Sequence, residues 1–123
     1  MSFANRYLDH FANPRGIGEI EKPDSKSQVQ HEGGGCFDRV KLTLRITDGR
    51  IAEARFRARA CSGTIAALSA LTEMVAGKTL KEAGAITPDD LVEYLEGIPE
   101  AKRHSVELAA RALQECLDSN SDE

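Results

Sequence analysis

The chain has no tryptophan, and aromatic residues make up only 5% of its 123 positions. Stacking on bases or sugars needs aromatic faces, so a binder of that kind is disfavoured. No apolar run approaches the roughly 18 residues that span a bilayer, and the opening MSFANRYLDH lacks the apolar stretch of a secretory signal. The expectation is a soluble, cytoplasmic protein with no membrane partner. A cationic excess is missing too: 16 Lys+Arg against 20 Asp+Glu give a net charge of −4, the wrong sign for a nucleic-acid binder. Cysteine is scarce and odd in number. Cys36, Cys61 and Cys116 are too few for a secreted disulfide framework and read instead as thiols, metal ligands or nucleophiles. The length suits one domain and is short for two.

What is present is ordered along the chain. Phe3, Tyr7, Leu8 and Phe11 share a helical face, and Asn13-Pro14-Arg15-Gly16 stops that short docking helix. The polar stretch to Gly35 offers only Ser27–His31 as a strand and ends in Gly33-Gly34-Gly35, read as a hinge. Val40, Leu42, Leu44 and Ile46 then alternate with Lys41, Thr43 and Arg45, and after Asp48-Gly49 a second strand puts Ala52, Ala54, Phe56, Ala58 and Ala60 on one face. A three-residue loop, Thr47-Asp48-Gly49, makes the apolar faces agree. It pairs Ile46 with Arg50, Leu44 with Ala52, Leu42 with Ala54 and Val40 with Phe56. Carried on, this register sets Asp38 against Ala58 and Cys36 against Ala60, beside Cys61. Lys41 then faces Arg55 and Arg39 faces Arg57, a locally repulsive arrangement.

Beyond Cys61 the period becomes helical through Ile65, Leu68, Thr72 and Val75, with Ser62 as a cap and Gly77 as the stop. A helical turn is expected from Thr79 to Ala83. Thr87-Pro88-Asp89-Asp90 opens another helix, ending near Gly97. The last helix starts around Ala101, buries Val106, Ala109, Ala110, Leu113 and Leu117, and leaves 118–123 as a flexible acidic tail. The fold class is α+β: a small, mainly antiparallel sheet built on a hairpin over about 36–60, packed by helices, in one domain over 1–123.

The chemistry gathers at one end of that sheet. Cys61 sits at a helix N-terminus, where unpaired amides favour the thiolate, although a free cysteine is commonly just a buried packing residue. The hairpin brings Cys36 and Asp38 beside it. Two thiols and a carboxylate suit zinc or iron, and His104 at the start of the last helix is a fourth donor. His10 and His31 read as surface residues. Cys116 lies twelve residues past His104, roughly 18 Å along the helix, and is a packing residue. The cationic strand face carrying Arg39, Lys41, Arg55, Arg57 and Arg59 reads as a solvated face first and as a docking surface for an acidic protein second.

Taken together, His10-Phe11-Ala12-Asn13-Pro14-Arg15, Gly35-Cys36-Phe37-Asp38, Cys61-Ser62-Gly63-Thr64-Ile65-Ala66, Thr72–Lys78 and Ile98–Ser105 resemble segments of the IscU/NifU-type iron-sulfur cluster assembly scaffolds, from about Leu8 to Leu117. The resemblance implies a non-enzymatic carrier with metal or cluster ligands at Cys36, Asp38, Cys61 and His104. Its cargo would be a transient two-iron two-sulfur cluster, with zinc as the other occupant. Its partners would be a cysteine desulfurase and apo iron-sulfur acceptors. Three departures accompany it: Ser105 stands where the family has a third cysteine, Phe37 replaces a glycine, and the chaperone segment reads Ile98-Pro99-Glu100-Ala101-Lys102, which weighs against chaperone contact. Two rival readings follow: a zinc-bound sulfur-transfer adaptor that accepts persulfide, and a degenerate interaction module without metal.

Overall fold

The computed structural model describes residues 3–33 and 36–121, leaving out the side chains at 3–5, 31–33, 36–38, 120 and 121. Three strands form one antiparallel sheet in the order β1 (Ser25–Gly33), β2 (Cys36–Thr47), β3 (Arg50–Arg59). β1 is longer than the expected Ser27–His31. It pairs along the whole first part of β2, from Ser25↔Leu44 to Gly33↔Cys36, so Gly33 belongs to the strand. Gly34 and Gly35, the rest of the expected hinge, lie outside the described residues.

The β2–β3 register corrects the three-residue loop. Thr47 pairs with Arg50 across a two-residue turn, Asp48 at φ 54° and Gly49 at φ 75°. Two left-handed residues in succession are the type I′ geometry that matches strand twist. An irregularity after Ile46↔Ile51 then shifts the pairing, giving Leu44↔Ala54, Leu42↔Phe56 and Val40↔Ala58. The extra residue reconciles the tight turn with the apolar alternation: Ile51 is buried and Ala52 is exposed. Pairing ends at Arg39↔Arg59, so Ala60, in the same count, is level with Asp38 rather than Cys36.

Helices cover one face of the sheet. α1 (Phe3–Ala12) packs on α2 (Ser62–Val75), and α2 packs on β3 and on the long α5 (Arg103–Ser121), which crosses β1 and β2. Between them come α3 (Leu80–Gly84), α4 (Pro88–Tyr94) and a 3-10 turn, Glu100–Lys102. Thr79 with Glu82 and Thr87 with Asp90 form reciprocal capping boxes, and Pro88 opens α4, as their spacing implies. Val40, Leu42, Leu44, Phe56, Leu68, Leu71, Val106 and Leu113 fill the core. α5 runs on through Ser121, past the expected end at Leu117, because no Gly or Pro interrupts it.

α1 presents a different face from the one expected. Tyr7 and His10 are buried, whereas Leu8 and Phe11 are 53% and 45% exposed. Phe3 lies outside the described side chains. His10 is therefore no surface residue: its Nδ1 lies 2.7 Å from Ser69 Oγ and its Nε2 3.3 Å from Glu73 Oε1. Ser69 Oγ already accepts the Arg15 amide at 2.8 Å, which leaves its hydroxyl to donate to Nδ1 and the Nε2 proton to face Glu73. The segment after Gly16 then hydrogen-bonds to Phe56 on both sides of Ile17 and crosses the outer face of the sheet, burying Ile20 over Thr43, before entering β1.

Candidate metal and thiol site

Cys61 caps α2. The chain leaves β3 at Arg59, and Cys61 takes an extended conformation (φ −74°, ψ 169°) that frees it from the helix while its carbonyl accepts the Thr64 and Ile65 amides. The cap is Cys61 itself, one residue earlier than the expected Ser62. Its half-buried sulfur lies 3.9 Å from His104 Nε2, 3.7 Å from Ser105 Oγ and 3.7 Å from Thr64 Oγ1. Thr64 donates to Ser105 at 3.0 Å, so the Ser105 hydroxyl is left to donate to the sulfur. Burial pushes the Cys61 thiol up, and the Thr64 amide, the Thr64 and Ser105 hydroxyls and His104 outweigh it, bringing the pKa down to about 7.

Two helix starts meet here because Gly63 lets them. A Cβ on Gly63 would stand 2.8 Å from Ser105 Oγ and 3.0 Å from Lys102 Cβ, closer than side chains tolerate. The Arg103 guanidinium is held on Asp89 at 2.5 Å, which ties the start of α5 to α4. Thr64 and Ser105 are both fully buried, yet each has partners for its hydroxyl, which is what a buried polar group requires.

Of the four residues expected as ligands, the structure brings Cys61 and His104 together. Cys36 and Asp38 begin β2, where their backbones pair with Gly33 and His31, and their side chains lie outside the described residues, as does that of His31. Among the described residues no three His, Cys, Asp or Glu side chains gather as a metal site. Cys116 is packed under β2 with its sulfur 3.7 Å from the Leu42 carbonyl, and burial pushes its pKa up to about 12. It takes no part in the site. Gly63 and Thr64 carried a sequence signal only through their place in the helix-start segment, and Ser105 through its place at the third-cysteine position of the resemblance, next to His104. Their contact across 41 residues is tertiary.

A three-stranded antiparallel sheet with helices on one face and a half-buried thiol at the strand-to-helix junction defines an α+β domain with a thiol-centred site. Residues 2–121 match the family model described as the NifU-like N terminal domain. The chain belongs to that family. It is 36% identical over 119 residues to the iron-sulfur cluster assembly scaffold protein IscU of Haemophilus influenzae, covering 95% of this chain and 94% of that one. The protein of the same description from Escherichia coli is 36% identical over 119 residues, with 95% and 92% covered. The crystal structure of a NifU-like N-terminal protein from Brucella abortus superposes with a TM-score of 0.76 at 20% identity, over 96% of this chain and 93% of that one, and shows the same fold.

Proposed function

We propose that this protein is an iron-sulfur cluster assembly scaffold, a carrier without a turnover reaction of its own. It holds iron or a transient two-iron two-sulfur cluster and passes it to apo-proteins. The carrying observation is Cys61 at the start of α2 with His104 3.9 Å away, in a chain whose relatives over nearly their full length are cluster scaffolds. Cys36, Asp38, Cys61 and His104 are the ligands in this reading, and 1–123 is one scaffold domain working in the cytoplasm. No helix among the described residues is long and apolar enough to cross a membrane.

A thiol with pKa about 7 is substantially thiolate at neutral pH, and thiolate is the form that binds iron and attacks sulfur. Cys61 would take the terminal sulfur of a desulfurase persulfide, forming a new S–S bond while the desulfurase cysteine leaves as thiolate. That sulfur enters a cluster as sulfide once two small thiols, such as free cysteine, reduce the persulfide and leave joined as a disulfide, returning Cys61 as a thiol. Ser105 replaces the family's third cysteine in this reading. Its hydroxyl is a harder and weaker ligand than a thiolate, and it serves instead as a hydrogen-bond donor to Cys61, leaving a loosely held cargo.

The test is anaerobic reconstitution with ferrous iron, cysteine and a cysteine desulfurase, followed by visible absorption and iron, sulfide and zinc analysis. Wild type is expected to turn brown, and Cys36→Ala and Cys61→Ala to remain colourless. Ser105→Cys is expected to slow cluster loss to a chelator about tenfold, which corresponds to about 1.4 kcal/mol. A colourless wild type carrying zinc that either cysteine variant loses would replace the scaffold by a sulfur-transfer adaptor. A wild type that binds neither metal would reduce it to an interaction module.

A further inference from the structure

The outer face of the sheet, opposite the helices, is strongly cationic in a protein of net charge −4. Arg39, Lys41 and Arg45 in β2 and Arg55, Arg57 and Arg59 in β3 alternate with the buried Val40, Leu42, Leu44, Ala54 and Phe56. The register sets cation directly against cation, Arg39↔Arg59 and Lys41↔Arg57. Like charges directly opposed destabilise an antiparallel pair. At the Thr43 end of this face the cations are met: Arg55 pairs with Glu53 on its own strand and donates to the Ile17 carbonyl of the crossing segment at 3.2 Å, and Arg45 donates to the Glu21 carbonyl at 2.8 Å. Toward the Cys61 end the carboxylate supplied by that segment is Glu19, shared between Lys41 at 2.6 Å and Arg57 at 3.8 Å. Gln28, Arg39, Lys41, Arg57 and Arg59 line an open groove there.

We infer that this groove is a docking surface for an acidic segment of a partner protein, seated beside the Cys61 end of the sheet. Arg57 and Arg59 are two positions apart on one strand, about 7 Å, and their counterparts on β2 lie about 5 Å across. Carboxylates spaced by one helical turn, or alternating along a strand, match that grid and accept from guanidinium in pairs. The net negative charge of the chain opposes a long polyanion, so a short acidic segment is a better fit than a nucleic acid. The surface rests on charge and register alone and stands whether or not the site binds iron.

Fluorescence anisotropy of a labelled twelve-residue glutamate-rich peptide against the metal-free full chain tests it, with a twelve-residue oligothymidylate as the competing polyanion. Peptide binding is expected to weaken with added salt, and to fall about tenfold in Arg57→Ser/Arg59→Ser. The control Lys81→Ser/Arg111→Ser, which removes the same charge elsewhere, is expected to bind as wild type. Removing the opposed cations should leave the melting temperature unchanged or raised. If the double variant melts early, Arg57→Gln, at a side chain 69% exposed, carries the same comparison. No salt-sensitive peptide binding, an equal loss in the control, or tighter binding of the oligonucleotide would each overturn the proposal.

Discussion

Gly63 sets how closely the start of α5 approaches the Cys61 thiol. It carries no side chain where the start of α2 meets the start of α5, and Ser105 and Lys102 occupy the space a methyl group would need. Gly63→Ala therefore presses α5 away from Cys61 and weakens the Ser105 and His104 contacts, which add to the larger effect of the Thr64 amide and hydroxyl in bringing its pKa down to about 7. The expected outcome is a Cys61 alkylation profile shifted toward the ordinary thiol value of 9.0 and a loss of about 1–3 kcal/mol in stability, the usual range for overpacking. Alkylation of Gly63→Ala against pH, compared with the Gly63 protein and both in a Cys36→Ala background so that intact mass reads Cys61, checks it; an unshifted profile would mean that the helix starts accommodate the methyl. Cys116, buried with a pKa of about 12, should stay unmodified while the chain is folded.

The junction of α1 with α2 rests on polar groups to a degree that its apolar pattern concealed. Burial lowers the His10 pKa below its ordinary 6.5, the Arg15 charge lowers it further, and Glu73 and Asp9 only partly oppose them, with Arg6 adding a small push down. Tyr94 donates its hydroxyl to Glu73 at 2.7 Å and closes the cluster over the imidazole. The unfolded chain thus binds the proton more readily than the folded one. This group's contribution to stability is complete above about pH 6.5 and is lost as pH falls toward the depressed folded value. Urea midpoints at pH 7.5 and pH 5.5 should drop in wild type, with a smaller drop in His10→Gln; an equal drop in both would move the effect to another group. Helical periodicity placed α1 correctly but misjudged its buried side, because periodicity ranks histidine as polar and cannot see Ser69 and Glu73 waiting for it.

At the scale of the whole molecule, Phe56 joins the sheet, the crossing segment and the helices. Its side chain is fully buried against the helical layer, while its backbone amide donates to Gly16 and its carbonyl accepts from Gly18. The left-handed Gly16 (φ 77°) has no room for a Cβ, since Thr72 on α2 stands 2.6 Å away. One strand thus ties the outer segment to the inner helix through two neighbouring contacts. Phe56→Ala should cost about 3–5 kcal/mol, the range for large core truncations, and lower a single cooperative transition. Circular dichroism and near-ultraviolet melts should shift together; separate transitions would show that the outer segment unfolds on its own.

The sequence by itself determined the element types, the alternating core of the hairpin, the helical turn of α3, the capped start of α4, the thiol at a strand-to-helix junction and the family. These depend on residues close together along the chain, where spacing and propensity act directly. Tertiary structure decided the rest. The register turned on whether Ile51 or Ala52 would be buried, which alternation alone leaves open once a bulge is allowed. The buried state of His10, the clearance at Gly63 and the hydroxyl relay from Thr64 through Ser105 to Cys61 all depend on partners about 40 or more residues away. Local sequence selects which groups are available, and only packing sets which of them share a hydrogen bond, because that choice is made by distance and exclusion of water rather than by order along the chain.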